Sequence, residues 1–188
     1  PIGSRVTGPA VTRVHPDRML AAMARRQHGV VSREQLALLG FTERMVQQRL
    51  ASGHLHSVHR GVYAVGHLSL TWRGRVSGAV LACGLDAVAS HTTAGVIHEF
   101  LDTARALEVT DTRRHRIPGV TTHRSALHQS DRWISDGIPV SSALRTLLDL
   151  AAILPAKQFE RAFEEADRIK LVEERQGREL LARSSGHR

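Results

Sequence analysis

The sequence predicts an α+β protein with an N-terminal winged helix-turn-helix, followed by a small α+β domain closed by C-terminal helices. Three observations predict this fold: two short helix patterns separated by a glycine, a hairpin pattern directly after them, and, beyond Gly66, strand-like alternation mixed with apolar helix patterns. The expected divisions are a flexible leader (1–16), the winged domain (17–66), the α+β domain (67–183) and a flexible end (184–188).

The first helix is predicted over 17–28, because Pro16 precedes it and Gly29 follows it. Its apolar side chains are expected to face the core: Met19, Leu20 and Met23. Its outer face carries Arg25 and Arg26, together with Arg18, where contact with a phosphate and simple solvation are both compatible with the pattern.

The next two helices are marked by residues that begin and end helices. Ser32 is a predicted N-cap with Gln35 at the third helical position, as in a capping box, and Gly40 ends this helix. Thr42 caps the second helix, which runs to a stop at Gly53. The apolar face of the first of these helices is predicted from Leu36, Leu38 and Leu39.

The helix after Thr42 is the candidate recognition helix. At about 100° per residue, its apolar side chains gather opposite Arg44, Gln47 and Gln48. We expect these three to contact base edges, since Arg suits guanine and Gln suits adenine in the major groove. Arg49 falls inside the apolar arc, so it is expected to pack its stem and reach a phosphate or a carboxylate. The alternative is that any solvated helix face carries such residues.

A hairpin is predicted from two short runs, 55–58 and 62–65, with Gly61 in the turn between them. His59 and Arg60 lie at its tip. They would contact a phosphate or the minor groove if the preceding helix enters the major groove, although tip residues are often merely solvated. Arg33, at the start of the earlier helix, is a weaker candidate for phosphate contact.

The positive charge is concentrated at the N-terminal end. Residues 1–66 carry nine basic and three acidic side chains, residues 67–125 seven and five, and residues 126–188 ten and ten. An Arg-rich proteome would explain many arginines. It does not explain why the net charge of the last third of the chain is zero. The placement is that expected of a domain that neutralises phosphates.

The segment GVVSREQLALLGFTERMVQQRLASGHLHSVHRGVYAVG (29–66) resembles the N-terminal winged helix of the AbiEi family, the antitoxins of type IV toxin–antitoxin systems. AVASHTTAGVIHEF and DGIPVSSALRTLLDLA are similar to segments that follow this domain in actinobacterial relatives, so the resemblance spans about Leu20 to Leu154. It implies a transcriptional autorepressor whose second domain serves the antitoxin role, by helping to bind DNA or by neutralising a nucleotidyltransferase-like toxin. Many relatives continue into a nuclease-like domain of the very-short-patch-repair type.

The second domain is expected to combine helices with short strands. Strands are predicted over 87–90, 107–112, 119–124 and within 133–140, and helices over 73–83, 92–100, 144–154, 156–170 and 172–182. The segment Arg113-Arg114-His115-Arg116 is a basic loop that is expected to join a hairpin, either as a second phosphate contact or as a solvated turn. Ser141 or Ser142 caps the apolar helix that follows.

Cysteine content and hydropathy limit the class of protein. The single cysteine, Cys83, excludes an intramolecular disulfide and lies in an apolar run, so a buried structural thiol is expected. No run approaches the roughly 20 apolar residues of a membrane span, and no signal-peptide pattern is present. We therefore expect a cytoplasmic protein without membrane contact.

Enzyme patterns are weak. His54, His56 and His59 have no acidic or cysteine partner nearby in sequence, so no metal site is expected there. Ser90 and His91 with Asp149 suggest a triad, but no nucleophile elbow is present. The chain has only two lysines, and neither completes the Glu-x-Lys motif of metal-dependent nucleases. No cofactor is expected.

These observations predict a non-enzymatic regulator that binds double-stranded DNA and represses its own operon. Such a repressor is expected to bind an inverted repeat as a homodimer, with a nucleotidyltransferase-like toxin as a second partner. Two alternatives stay open. The chain would otherwise be the DNA-targeting part of a nuclease whose catalytic domain lies outside these residues, or a protein-interaction module whose winged helix no longer contacts DNA.

Overall fold

A computed structural model of the chain describes residues 15–170, and these residues form the expected α+β structure. In chain order the elements are α1 (Pro16–Arg26), β1 (Val30–Ser32), α2 (Arg33–Leu38), α3 (Glu43–Ala51), β2 (Leu55–His59), β3 (Val62–Val65), α4 (Trp72–Cys83), β4 (Val88–Ala89), α5 (His91–Ile97), β5 (Leu107–Asp111), β6 (Val120–Arg124), a 3-10 turn (Gln129–Asp131), β7 (Arg132–Ser135), β8 (Ile138–Ser141), α6 (Ala143–Ile153) and α7 (Ala156–Arg168). The predicted helix over 172–182, the predicted end 184–188 and most of the leader lie outside the described residues.

The first unit combines α1, α2 and α3 with an antiparallel sheet of strand order β1-β3-β2. The predicted capping box is present, because the Ser32 hydroxyl accepts from the Gln35 amide at 3.3 Å and the Ser32 amide donates to the Gln35 side chain at 2.9 Å. The Thr42 hydroxyl accepts from the Met45 amide at 3.3 Å and starts α3. Both helix starts were therefore predictable from single cap residues.

The core of this unit contains Leu20, Leu36 and Val46, all buried. The prediction that Leu38 and Met19 face the core is wrong, because Leu38 is 84% exposed and Met19 is 44% exposed. At about 100° per residue, Leu38 lies some 200° around α2 from Leu36, and α2 is too short to cover both sides. Met19 lies beside the buried Leu20 on α1 and faces a groove instead.

Helix α4 packs against both sheets and is buried on almost every side. Its glycine face lies on the first unit: a Cβ added to Gly78 would lie 3.7 Å from Val58, and one added to Gly74 would lie 2.7 Å from the carbonyl oxygen of His28. Its opposite side contributes Val76 and Val80 to the core of the second unit. The small residues thus allow the helix backbone to approach the first sheet closely.

The second sheet has the strand order β6-β5-β4-β8-β7, and one sequence prediction fails in it. Strands β5 and β6 were expected to form a hairpin, but they pair in parallel, with Val109 opposite Thr122. Alternation locates a strand without giving its direction. The basic loop after Asp111 folds back beside the sheet, held by His115, whose ring donates to the Asp111 carboxylate at 2.5 Å and whose carbonyl accepts from the Thr122 hydroxyl at 2.7 Å.

The strands predicted within 133–140 are present as the antiparallel pair β7–β8. Asp136 (φ +48°) and Gly137 (φ +77°) both have left-handed backbones, as a type I′ turn requires. This turn lies against the end of α1, where the His28 ring donates to the Asp136 carbonyl at 2.8 Å. Ser142 caps α6, which packs with α7 in a third apolar cluster.

Candidate nucleic-acid interface and a buried histidine cluster

The exposed face of α3 carries the three side chains expected to contact bases. Arg44, Gln47 and Gln48 are exposed, while Val46 on the other side is buried in the core. The Gln47 amide donates to the Glu43 carboxylate at 3.2 Å, one turn earlier on the helix. The structure therefore leaves the amide of Gln48 and the guanidinium of Arg44 on an accessible surface, and their contact with bases stays a prediction.

Two of the other predicted arginines are engaged within the unit. Arg49 forms a 2.7 Å ion pair with Asp17, and its guanidinium lies 4.6 Å from the centre of the Phe41 ring. This carboxylate is one of the two partners expected for Arg49, and it ties α3 to α1. Arg33 donates to the Tyr63 hydroxyl at 3.3 Å and lies 3.6 Å from Glu43.

The tip of the β2–β3 hairpin faces the basic loop of the second unit. His59 and Arg60 line a groove of about 530 Å³ together with His115 and Arg116. Arg60 is exposed. Burial lowers the pKa of His59, so its ring is neutral near pH 7 and supplies no charge there. The hairpin tip and the basic loop, each a predicted phosphate contact, therefore line the same groove. Their proximity could not be predicted from the sequence.

The last turn of α1 places Arg25 and Arg26 on the surface. The main chain of Arg26 lies directly against Gly137, and its side chain lines a mostly apolar groove with Met19 and Ile134. Arg26 therefore lies at the junction between α1 and the β7–β8 turn. Arg25 does not line this groove.

The unit from α1 to β3 occupies residues 16–65. Residues 18–66 match the family model "Transcriptional regulator, AbiEi antitoxin". The match covers about a quarter of the chain and ends directly after β3. No curated protein matches the chain. The family match supports a role as a transcriptional regulator or antitoxin, and within residues 15–170 no helix is both long enough and apolar enough to cross a membrane.

A second group of polar side chains lies in the other unit, between α5, β5 and β6. His91, Glu108 and His123 each offer a nitrogen or oxygen atom, and these atoms all lie within 4.8 Å of one another. Glu108 is 7% exposed and accepts from the His123 ring at 3.1 Å. Burial lowers the pKa of His91, although the nearby Asp149 opposes this shift, so His91 is expected to be neutral near pH 7.

Sequence reasoning missed this cluster because its members come from three separated segments and match no spacing rule. The sequence signal for this cluster was a metal-binding type of side chain within each of two predicted strands, Glu108 in 107–112 and His123 in 119–124. Among the described residues, this is the only group of three such side chains close enough to hold a metal. His54 and His56 on the hairpin bond instead to Ser52 and to the Gly66 carbonyl.

The suggested triad of Ser90, His91 and Asp149 does come together, but not in a catalytic arrangement. The Ser90 hydroxyl lies 3.0 Å and the Asp149 carboxylate 3.9 Å from the same ring nitrogen, Nδ1 of His91. A serine nucleophile and its orienting carboxylate need opposite nitrogens of the imidazole. Ser90 is moreover completely buried, so this geometry does not support acyl transfer.

Cys83 is buried, as its apolar run predicts. Burial raises the pKa of its thiol to about 11, so the thiol stays protonated near neutral pH. The thiolate is the nucleophilic form of cysteine, and Cys83 is accordingly a packing residue of the second core.

Proposed function

We propose that this chain is a sequence-specific DNA-binding transcriptional regulator of the antitoxin type, in which α1 to β3 act as a winged helix-turn-helix. The observation that carries the proposal is the family match over 18–66, which coincides with the unit from α1 to β3. In that unit α2 and α3 are separated by four residues, 39–42, and followed by a β-hairpin. Such a unit places its second helix in the major groove.

In this proposal α3 supplies the base contacts. Arg44, Gln47 and Gln48 share its exposed face, and arginine and glutamine side chains can each form paired hydrogen bonds with a purine edge. Arg49 is given a supporting role, because its ion pair with Asp17 and its position over Phe41 hold α3 on α1. The angle at which α3 is presented to DNA then depends on Arg49.

The backbone contacts are assigned to the hairpin tip. Arg60 is exposed there, and Arg116 lies on the same groove, so a phosphodiester strand passing the tip would meet both guanidinium groups. Arg25 and Arg33 are weaker candidates for the same role. The excess of nine basic over three acidic side chains in residues 1–66 supports this assignment, since phosphate contacts supply most non-specific affinity.

We further propose that the regulator is non-enzymatic and cytoplasmic, and that it represses its own operon. A homodimer on an inverted repeat would place a second α3 about one helical turn of DNA away, roughly 34 Å. The second unit is proposed to contact a cognate toxin of the nucleotidyltransferase type. The resemblance of the sequence to AbiEi antitoxins supports these assignments.

The proposal is tested with single arginine substitutions and a panel of operator duplexes that differ at one base pair each. Arg44→Ala should lose about 1–3 kcal/mol on the parent duplex and lose discrimination at one or two positions. Arg60→Ala should weaken all duplexes about equally. Arg161→Ala on α7, also an exposed arginine, is the matched control and should bind like the parent. Unchanged binding of both Arg44→Ala and Arg60→Ala would contradict this placement of the interface.

A further inference from the structure

The cluster between α5, β5 and β6 has the composition of a metal site. We propose that His91, Glu108 and His123 bind one divalent transition metal ion of the zinc type, with a fourth position open to solvent or to a ligand. Two imidazole nitrogens and one carboxylate oxygen are a ligand set that zinc uses in open sites. Their ligand atoms all lie within 4.8 Å of one another, near enough to surround one ion once one histidine ring has turned.

The glutamate is already held in a fixed orientation. Thr92 donates to Glu108 from its main-chain amide at 2.9 Å, and its hydroxyl donates to the same carboxylate oxygen, Oε2. The other oxygen, Oε1, faces the His123 ring. Hydrogen bonds of this kind to a carboxylate that binds metal fix its direction and preserve affinity. Glu108 thus presents one oxygen to the proposed ion and keeps the other on Thr92.

Asp149 gives an independent indication of a ligand. It is 8% exposed, and its Oδ2 atom is buried without a hydrogen-bond partner among the described residues. This atom lies 3.9 Å from Nδ1 of His91, while Oδ1 accepts from Arg145 at 2.9 Å. Histidines that bind metal usually donate their second ring nitrogen to a carboxylate. Because Nδ1 of His91 already faces Oδ2, this oxygen is placed to accept that hydrogen bond when His91 holds an ion through its other nitrogen.

Metal binding requires one rearrangement. The rings of His91 and His123 are stacked, with centroids 3.6 Å apart and planes inclined by 15°. A metal bound at about 2.0–2.1 Å must lie near the plane of each imidazole, which two stacked rings cannot satisfy together. His123 is the ring that can turn, since its side chain is 30% exposed whereas that of His91 is 11% exposed. The ion therefore separates the stacked pair.

The test uses the whole chain, freed of metal with a chelator and titrated with Zn²⁺ alone against a chromogenic competitor. One ion per chain is expected, and Co²⁺ in its place should give the visible absorption of a low-coordinate site. His123→Ala should weaken Zn²⁺ binding by at least about 100-fold, and Asp149→Asn by about 10- to 100-fold. His56→Ala on the hairpin is the matched control and should bind like the parent.

Circular dichroism of each variant shows whether it has kept the parent's fold, and His123→Ala, at a partly exposed position, is expected to do so. Absence of one-to-one Zn²⁺ binding by the parent at micromolar concentration would overturn the proposal, and so would a folded His123→Ala variant that binds as tightly as the parent. Loss of binding in His56→Ala alone would also overturn it, by placing the ion on the hairpin. DNA is absent from the assay, so its outcome is independent of the proposed regulatory role.

Discussion

The turn between β7 and β8 provides a direct test of how the two units pack. A Cβ added at Gly137 would overlap the carbonyl oxygen of Arg26 and lie 3.3 Å from its carbonyl carbon. Both atoms belong to backbone at the end of α1, so the clash cannot be relieved by rotating a side chain. Gly137 also has φ +77°, which a residue with a Cβ adopts at a cost of about 1–2 kcal/mol. Gly137→Ala should therefore separate the turn from α1.

Gly119 supplies the matched control. It has φ +76°, but a Cβ added there would meet nothing within 4 Å. Gly119→Ala should cost only the backbone term, about 1–2 kcal/mol, whereas Gly137→Ala adds an overpacking term of about 1–3 kcal/mol. At about 2–4 °C per kcal/mol for a protein of this size, calorimetry resolves the difference. Equal unfolding midpoints for the two variants would refute the contact between Arg26 and the turn.

Three further predictions concern stability and reactivity. Ser32→Ala removes the cap that pairs with Gln35 and should lower the free energy of unfolding by about 0.5–2 kcal/mol in urea titrations. Cys83, whose pKa burial raises to about 11, should resist alkylation by iodoacetamide at pH 8 until the chain is denatured. Burial also lowers the pKa of His98, so the unfolded chain takes up the proton first and stability should fall as the pH drops below about 6.5. His98→Phe should lose less stability than the parent between pH 7 and pH 5. Part of the dependence should remain, because burial also lowers the pKa values of His59 and His91.

Local signals predicted the first unit well. Thr42 and Gly53 bracket α3, the capping box at Ser32 starts α2, and Gly61 lies in the hairpin turn, because each of these features is decided by a few neighbouring residues. Side-chain burial was harder to predict. Leu38 is apolar and exposed, since a six-residue helix buries only one side.

Features that depend on distant parts of the chain were not predictable in the same way. The alternating residues of β5 and β6 identified both strands, yet their parallel pairing depends on how the loop after Asp111 folds back. The cluster of His91, Glu108 and His123 likewise exists only after α5 has packed beside these strands. The arginine and glutamine face of α3 was predictable because it follows from helical periodicity alone, and its role in binding stays a prediction.

The most direct test of the proposed function is a fluorescence-anisotropy titration of the whole chain with duplex DNA from its own upstream region. A scrambled duplex of the same length is the control, and both are measured at about 50 and 200 mM salt. Tighter binding to the upstream duplex is predicted, with an affinity that falls by about 10³-fold or more between the two salt concentrations if six or more phosphates are contacted. Absence of binding to either duplex at the lower salt concentration would contradict the assignment of α3 and the hairpin as a DNA interface.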